Sequence, residues 1–124
     1  VRESRFWALH LLSGAVLLGL LGIHMTIMHF DAILRVVGGA HEPVLTFASV
    51  VARDRHAVMR VLYVLLLGFA LYHGLYGVRG ILREVWDGSA AAWVINAGVL
   101  LVGALVFAYG VGIVVRAGRI AVLM

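Results

Sequence analysis

Histidine is the residue through which this chain could do chemistry. It has six of them, no cysteine and no lysine, so nitrogen and oxygen are the ligand atoms it can offer a metal and no CxxC site or disulfide scaffold is open to it. His41 and His56 fall in a polar stretch where water or headgroups satisfy them, and His29 closes an apolar run and reads as interfacial. His10, His24 and His73 lie inside apolar runs. An ionisable side chain in such surroundings is costly, and its presence is usually functional. On a helix of about 3.6 residues per turn, steps of roughly 11 and 14 residues return to nearly the same side, so His24, Ser13 and His10 form one polar stripe. His73, Tyr76, Gly77, Gly80 and Glu84 share a face in the same way, with small residues beside the imidazole. An imidazole next to glycines suits a flat, bulky group whose edge lies against helix backbone, and haem is the candidate because imidazole is a common axial ligand. The competing reading is that each histidine hydrogen-bonds a neighbouring helix.

The elements that must position these residues are membrane helices. Of 124 residues, 64% are hydrophobic and 13% charged, with a mean hydropathy of +1.07, which excludes an ordinary soluble domain. The formal net charge of +4 comes from ten arginines set in short stretches beside apolar runs. That arrangement suits lipid headgroups and argues against nucleic acid. A hydrocarbon core of roughly 30 Å needs about 20 apolar residues of helix. Charge-free windows at 6–30, 61–78 and 88–115 satisfy this and place spans at about 6–30, 58–83 and 90–116. The first reads as a permanent span, since its apolar stretch is long for a signal peptide and no small-x-small cleavage site follows. The connection at 31–57 contains Gly38-Gly39, His41-Glu42-Pro43 and Arg53-Asp54-Arg55, with a short surface helix expected after Pro43. The link from span two to span three is tight and makes those helices antiparallel neighbours. Glycines at 14, 19, 22, 68, 74, 77, 98, 103 and 110 give every span small surfaces for close packing. The expected fold is an all-α membrane protein, a single membrane-anchor domain over 1–124 whose three transmembrane helices form half of a larger helical bundle. Arginines flank both sides of the membrane in similar numbers, so charge does not orient it.

Counting along the helices separates the two best ligand candidates. The midpoint of span one is residue 18, which puts His24 about 9 Å past it at roughly 1.5 Å per residue. Span two runs the other way, and His73 lies about 5 Å beyond its midpoint, on the opposite side of the midplane. A separation on the order of 14 Å means that one metal cannot take both. It excludes a compact zinc site, which needs three or four ligands at one depth, and fits two haems stacked across the membrane.

These residues resemble the cytochrome b membrane-anchor subunits of succinate dehydrogenases and fumarate reductases, the respiratory complex II family. Ser13-Gly14 followed by Gly22-Ile23-His24-Met25 is similar to the first helix of the two-haem anchors, whose histidine binds the distal haem. Tyr72-His73-Gly74-Leu75-Tyr76-Gly77-Val78-Arg79 resembles their second helix, in which a His-x-x-x-Gly-x-Arg element supplies the proximal ligand and an arginine near the propionates. His10 is similar to a histidine near the start of helix one, and Glu84 stands where an acidic residue is common. The chain departs from the pattern at Leu11, where an arginine often serves the quinone site, and at Glu84-Val85, where some partner anchors carry Asp-Tyr.

The resemblance implies haem b-binding by His24, His73, Arg79, His10, Ser13 and Gly77, with His24 and His73 as axial ligands of two haems. Each haem would be shared with a second membrane-anchor subunit that supplies the other ligand, since the chain carries two of the four expected. It implies iron-sulphur and flavoprotein subunits as further partners, with electrons passing from the iron-sulphur subunit to membrane quinone. The anchor itself would be non-catalytic alone, in a complex of the tricarboxylic acid cycle and electron transport. Trp7, His10 and Ser13 are the expected quinone contacts, Trp7 serving equally well as an interfacial anchor. The implied location is the cell's inner membrane, multi-pass, with the N-terminus in the cytoplasm. Two alternatives stay open: a haem subunit of another quinone-linked oxidoreductase, and a haem-free assembly or packing subunit.

Overall fold

The computed structural model describes residues 2–36, 46–54 and 56–123. Gly38-Gly39, His41-Glu42-Pro43 and Arg55 lie outside the described residues. Four helices account for nearly all of what is described: α1 (Arg2–Val36), α2 (Phe47–Asp54), α3 (Ala57–Val85) and α4 (Ser89–Leu123). Three are long and apolar enough to cross a membrane, over Ser4–Phe30, Ala57–Val85 and Ser89–Ile120, and no strand occurs among the described residues. The chain is an all-α membrane protein.

Two helices outrun the expected spans. α1 continues to Val36 and α4 to Leu123, past the ends at 30 and 116 that the flanking charges suggest. A charge marks where hydrocarbon stops, whereas helical hydrogen bonding continues through arginine, a good helix former. α2 begins where Thr46 caps it: the Thr46 hydroxyl accepts the Ser49 N–H at 3.2 Å, and the Ser49 hydroxyl donates to the Thr46 carbonyl at 2.8 Å.

The spans form a row with α3 in the middle. Among the described residues α3 packs on both α1 and α4, while α1 and α4 do not touch. Facing pairs establish the directions. His10 meets His73 and His24 meets Tyr63, so α1 runs antiparallel to α3. Arg79 meets Asn96, and Gly68, Gly103 and Gly110 face Phe107, Leu75 and Leu67, so α4 is antiparallel to α3 as well. The α3–α4 turn is short because Gly88 takes φ +114°, a backbone conformation that side chains disfavour. α2 lies against α3 and α4 and buries Val51, the one buried apolar side chain among the described residues. The Arg60 side chain crosses α4 at Gly118.

Such a row has almost no interior. Leu18 is 75% exposed, Leu100 74% and Trp93 72%. Exposed apolar side chains occur on all three long helices, Val58 and Ile81 on α3 among them, and they require an apolar surrounding, lipid or a partner's helices.

Candidate functional site

Polar side chains concentrate along the α1–α3 seam, at two levels. The first is built on His10, Ser13 and Gly14 of α1 and on Tyr72, His73, Tyr76 and Gly77 of α3. The imidazoles of His10 and His73 stack face to face, centroids 4.2 Å apart and planes 7° apart. Tyr76 tilts against His10 at 5.0 Å. The Tyr72 hydroxyl donates to the Phe6 carbonyl at 3.1 Å, tying α3 to the first turns of α1. His73 fits closely because α1 has a glycine at the point of contact: a Cβ on Gly14 would lie 2.9 Å from His73 Cε1.

Hydrogen bonding fixes how that imidazole is used. His73 Nδ1 lies 3.2 Å from the His10 carbonyl oxygen and 3.4 Å from Ser13 Oγ, while Ser13 Oγ donates to the same carbonyl at 2.6 Å. A carbonyl only accepts, so a neutral His73 carries its proton on Nδ1 and keeps its lone pair on Nε2. Metal-binding histidines are commonly held this way, with the non-ligating nitrogen donating to a backbone carbonyl. The orphaned buried nitrogen at this level belongs to the other ring, at His10 Nδ1.

The second level holds His24. Its ring meets Tyr63 edge-on, centroids 5.9 Å apart and planes at 78°, in a cleft also lined by Leu20, Ile27, Met59 and Leu66. Both nitrogens of His24 remain without a hydrogen bond among the described residues. Fourteen residues of α1 separate His10 from His24 and ten of α3 separate Tyr63 from His73, so the levels stand roughly 15–20 Å apart at about 1.5 Å per residue. Among the described residues no three His, Cys, Asp or Glu side chains gather to hold a metal by themselves. His73 Nε2 and both nitrogens of His24, like the orphaned His10 Nδ1, have no hydrogen-bond neighbour among the described residues.

The remaining candidates divide. Ser13 is 3% exposed and sits inside the seam, whereas Trp7 is 58% exposed on the outer surface of α1, so this chain does not bring the three expected quinone contacts onto one surface. Gly77 passes the edge of His10, 3.8 Å from where its Cβ would be, while a Cβ at Gly74 or Gly80 would meet nothing within 4 Å among the described residues. Arg79 turns toward α4, its Nε donating to Asn96 Oδ1 at 2.7 Å and its guanidinium 5.7 Å from the Tyr76 ring centre. Glu84 is exposed, as are His29 and His56. Sequence reasoning missed Tyr63 and Asn96, and it gave Tyr72 no role of its own. A signal existed for Asn96, a lone amide in an otherwise apolar span, but a scan for charge passes over it.

The fold and the seam together define a class: a three-span helical membrane protein with imidazoles at two depths between its first two spans. Comparison with known proteins finds no matching family model, no matching curated sequence and no matching solved structure.

Proposed function

We propose that this chain is a haem b-binding membrane-anchor subunit of a succinate:quinone oxidoreductase, working with a second anchor subunit, an iron-sulphur subunit and a flavoprotein subunit in a cell membrane. The observation that supports it most is His73, whose Nδ1 faces the His10 carbonyl at 3.2 Å and whose Nε2 is thereby kept as a lone pair. His24 supplies a second imidazole at another depth. Two haems with two nitrogen ligands each would supply one-electron transfer with no open coordination position for oxygen.

The chain's own residues divide the work between holding and orienting. Gly14 admits the His73 ring, the His10 ring covers one of its faces, and the His10 carbonyl with Ser13 sets its rotation. The cleft around His24 sets that imidazole among mainly apolar side chains. Arg79, held by Asn96 roughly one and a half turns beyond His73, contributes a positive charge on the His73 side. The quinone head would contact residues of more than one chain.

The same geometry gives the haem-free reading its best support, because a histidine hydrogen-bonded across two helices is already satisfied. A reduced-minus-oxidised spectrum with a redox titration of the purified complex separates the two. The proposal expects two low-spin components, one lost in His24→Ala and the other in His73→Ala. Loss of the same component from both variants, or of neither, overturns it. Co-purification of a flavin-bearing subunit distinguishes this complex from another quinone-linked oxidoreductase.

A further inference from the structure

Ser13 is positioned to act on an imidazole rather than on a quinone. It is 3% exposed, so a diffusible head group has no path to it through this chain, and its hydroxyl has two neighbours. One is the His10 carbonyl at 2.6 Å and the other is His73 Nδ1 at 3.4 Å. A serine hydroxyl has one proton to give. The carbonyl is an acceptor only and lies at the shorter distance, so the proton goes there and Oγ presents a lone pair to His73. His73 Nδ1 therefore faces two acceptors on α1, Ser13 Oγ and the His10 carbonyl. The tautomer with its proton on Nε2 would turn a lone pair toward both of them beside the buried Ser13, and a buried polar group left facing its own kind is penalised.

We propose that Ser13 is a positioning residue: with the His10 carbonyl it locks His73 as the Nδ1–H tautomer and so keeps the lone pair on Nε2. The assignment of Nε2 as an iron ligand rests on the function proposed above, but the lock itself is a property of this chain. Gly14 and His10 complete it sterically. The ring cannot advance toward α1 past Gly14, where a Cβ would already stand 2.9 Å from Cε1, and it cannot tip toward His10, whose ring is stacked on it at 4.2 Å. Rotation about the Cβ–Cγ bond is the remaining freedom, and the two acceptors oppose it.

The test is ¹⁵N-histidine NMR of the full chain in lipid bilayers without haem, with His73→Gln assigning the resonances. The wild-type chain is expected to show His73 protonated on Nδ1 and bare on Nε2. Ser13→Ala is expected to lower the ratio of the two tautomers about fivefold, the effect of one ordinary hydrogen bond, and Ser13→Thr, which keeps the hydroxyl, to restore it. A wild-type His73 protonated on Nε2, or a ratio unmoved by Ser13→Ala, overturns the lock and makes Ser13 a space-filling residue. In the assembled complex, Ser13→Ala is expected to alter the low-spin electron paramagnetic resonance signal lost in His73→Ala while leaving the one lost in His24→Ala intact. A complex devoid of haem in which the tautomer is nevertheless locked would remove the proposed function and leave this inference standing.

Discussion

At the scale of single residues, the proposed haem binding turns on how His73 is seated. Of the glycines around it, the one that decides is Gly14 on the facing helix, since Gly77 would place a Cβ at ordinary contact distance from His10, 3.8 Å. Gly14→Ala is therefore expected to displace the imidazole, at an overpacking cost of about 1–3 kcal/mol, and to lower haem occupancy at His73 while sparing His24. Gly77→Ala should be tolerated. Pyridine haemochrome assay of the two variants checks this, and equal losses would mean that the seam is not the seat of the ligand. Arg79 offers a second prediction at this scale. Removing a cation near an iron centre favours its oxidised form, so Arg79→Gln should lower the midpoint potential of the component lost in His73→Ala by about 40 mV, the one-electron equivalent of roughly 1 kcal/mol. An unchanged potential would make Arg79 a helix tie to Asn96 and nothing more.

At the scale of elements, the α3–α4 pair is held by glycine contacts and by the Arg79–Asn96 bond. Gly103→Leu would push a side chain into Leu75, whose Cδ1 lies 2.9 Å from the position of the new Cβ, and is expected to destabilise the pair by about 1–3 kcal/mol. A Cβ added at Gly98 meets nothing within 4 Å among the described residues, so Gly98→Ala should leave the thermal unfolding in detergent unchanged. The two depths of His24 and His73 are legible in the sequence because a helix acts as a ruler, advancing about 1.5 Å per residue whatever surrounds it. The shared face of His10, Ser13 and His24 follows from the same regularity. The partners across the seams are not legible there. Whether Tyr63 or a neighbour meets His24, and whether Arg79 turns toward Asn96 or toward the His73 level, depends on the rotation of each helix against the next. In a membrane, lipid-facing and helix-facing positions are equally apolar, so hydropathy carries no record of that rotation.

At the scale of the whole molecule, α1, α3 and α4 form an open row, against which a partner's helices are proposed to pack. Among the described residues α1 and α4 do not touch, and a Cβ added at Gly19, Gly22, Gly74 or Gly98 would meet nothing within 4 Å beyond its own stretch of helix. Hydropathy predicts three spans without saying whether they close on themselves, so the openness of the row is visible only in the fold. It agrees with the ligand arithmetic. The first level holds two imidazoles, but His10 and His73 are stacked face to face at 4.2 Å and cannot take opposite sides of one iron; the second holds His24 as its one imidazole, and α4 carries neither histidine nor methionine within its span. Each haem would then need its second axial ligand from another polypeptide. The most direct measurement is the reduced-minus-oxidised spectrum and haem content of this chain expressed in haem-replete membranes, alone and with a second small anchor subunit, each preparation sized to establish its oligomeric state. Bis-histidine haem is expected only on co-expression, whereas full stoichiometric bis-histidine haem in a strictly monomeric preparation of this chain would contradict a shared-ligand anchor.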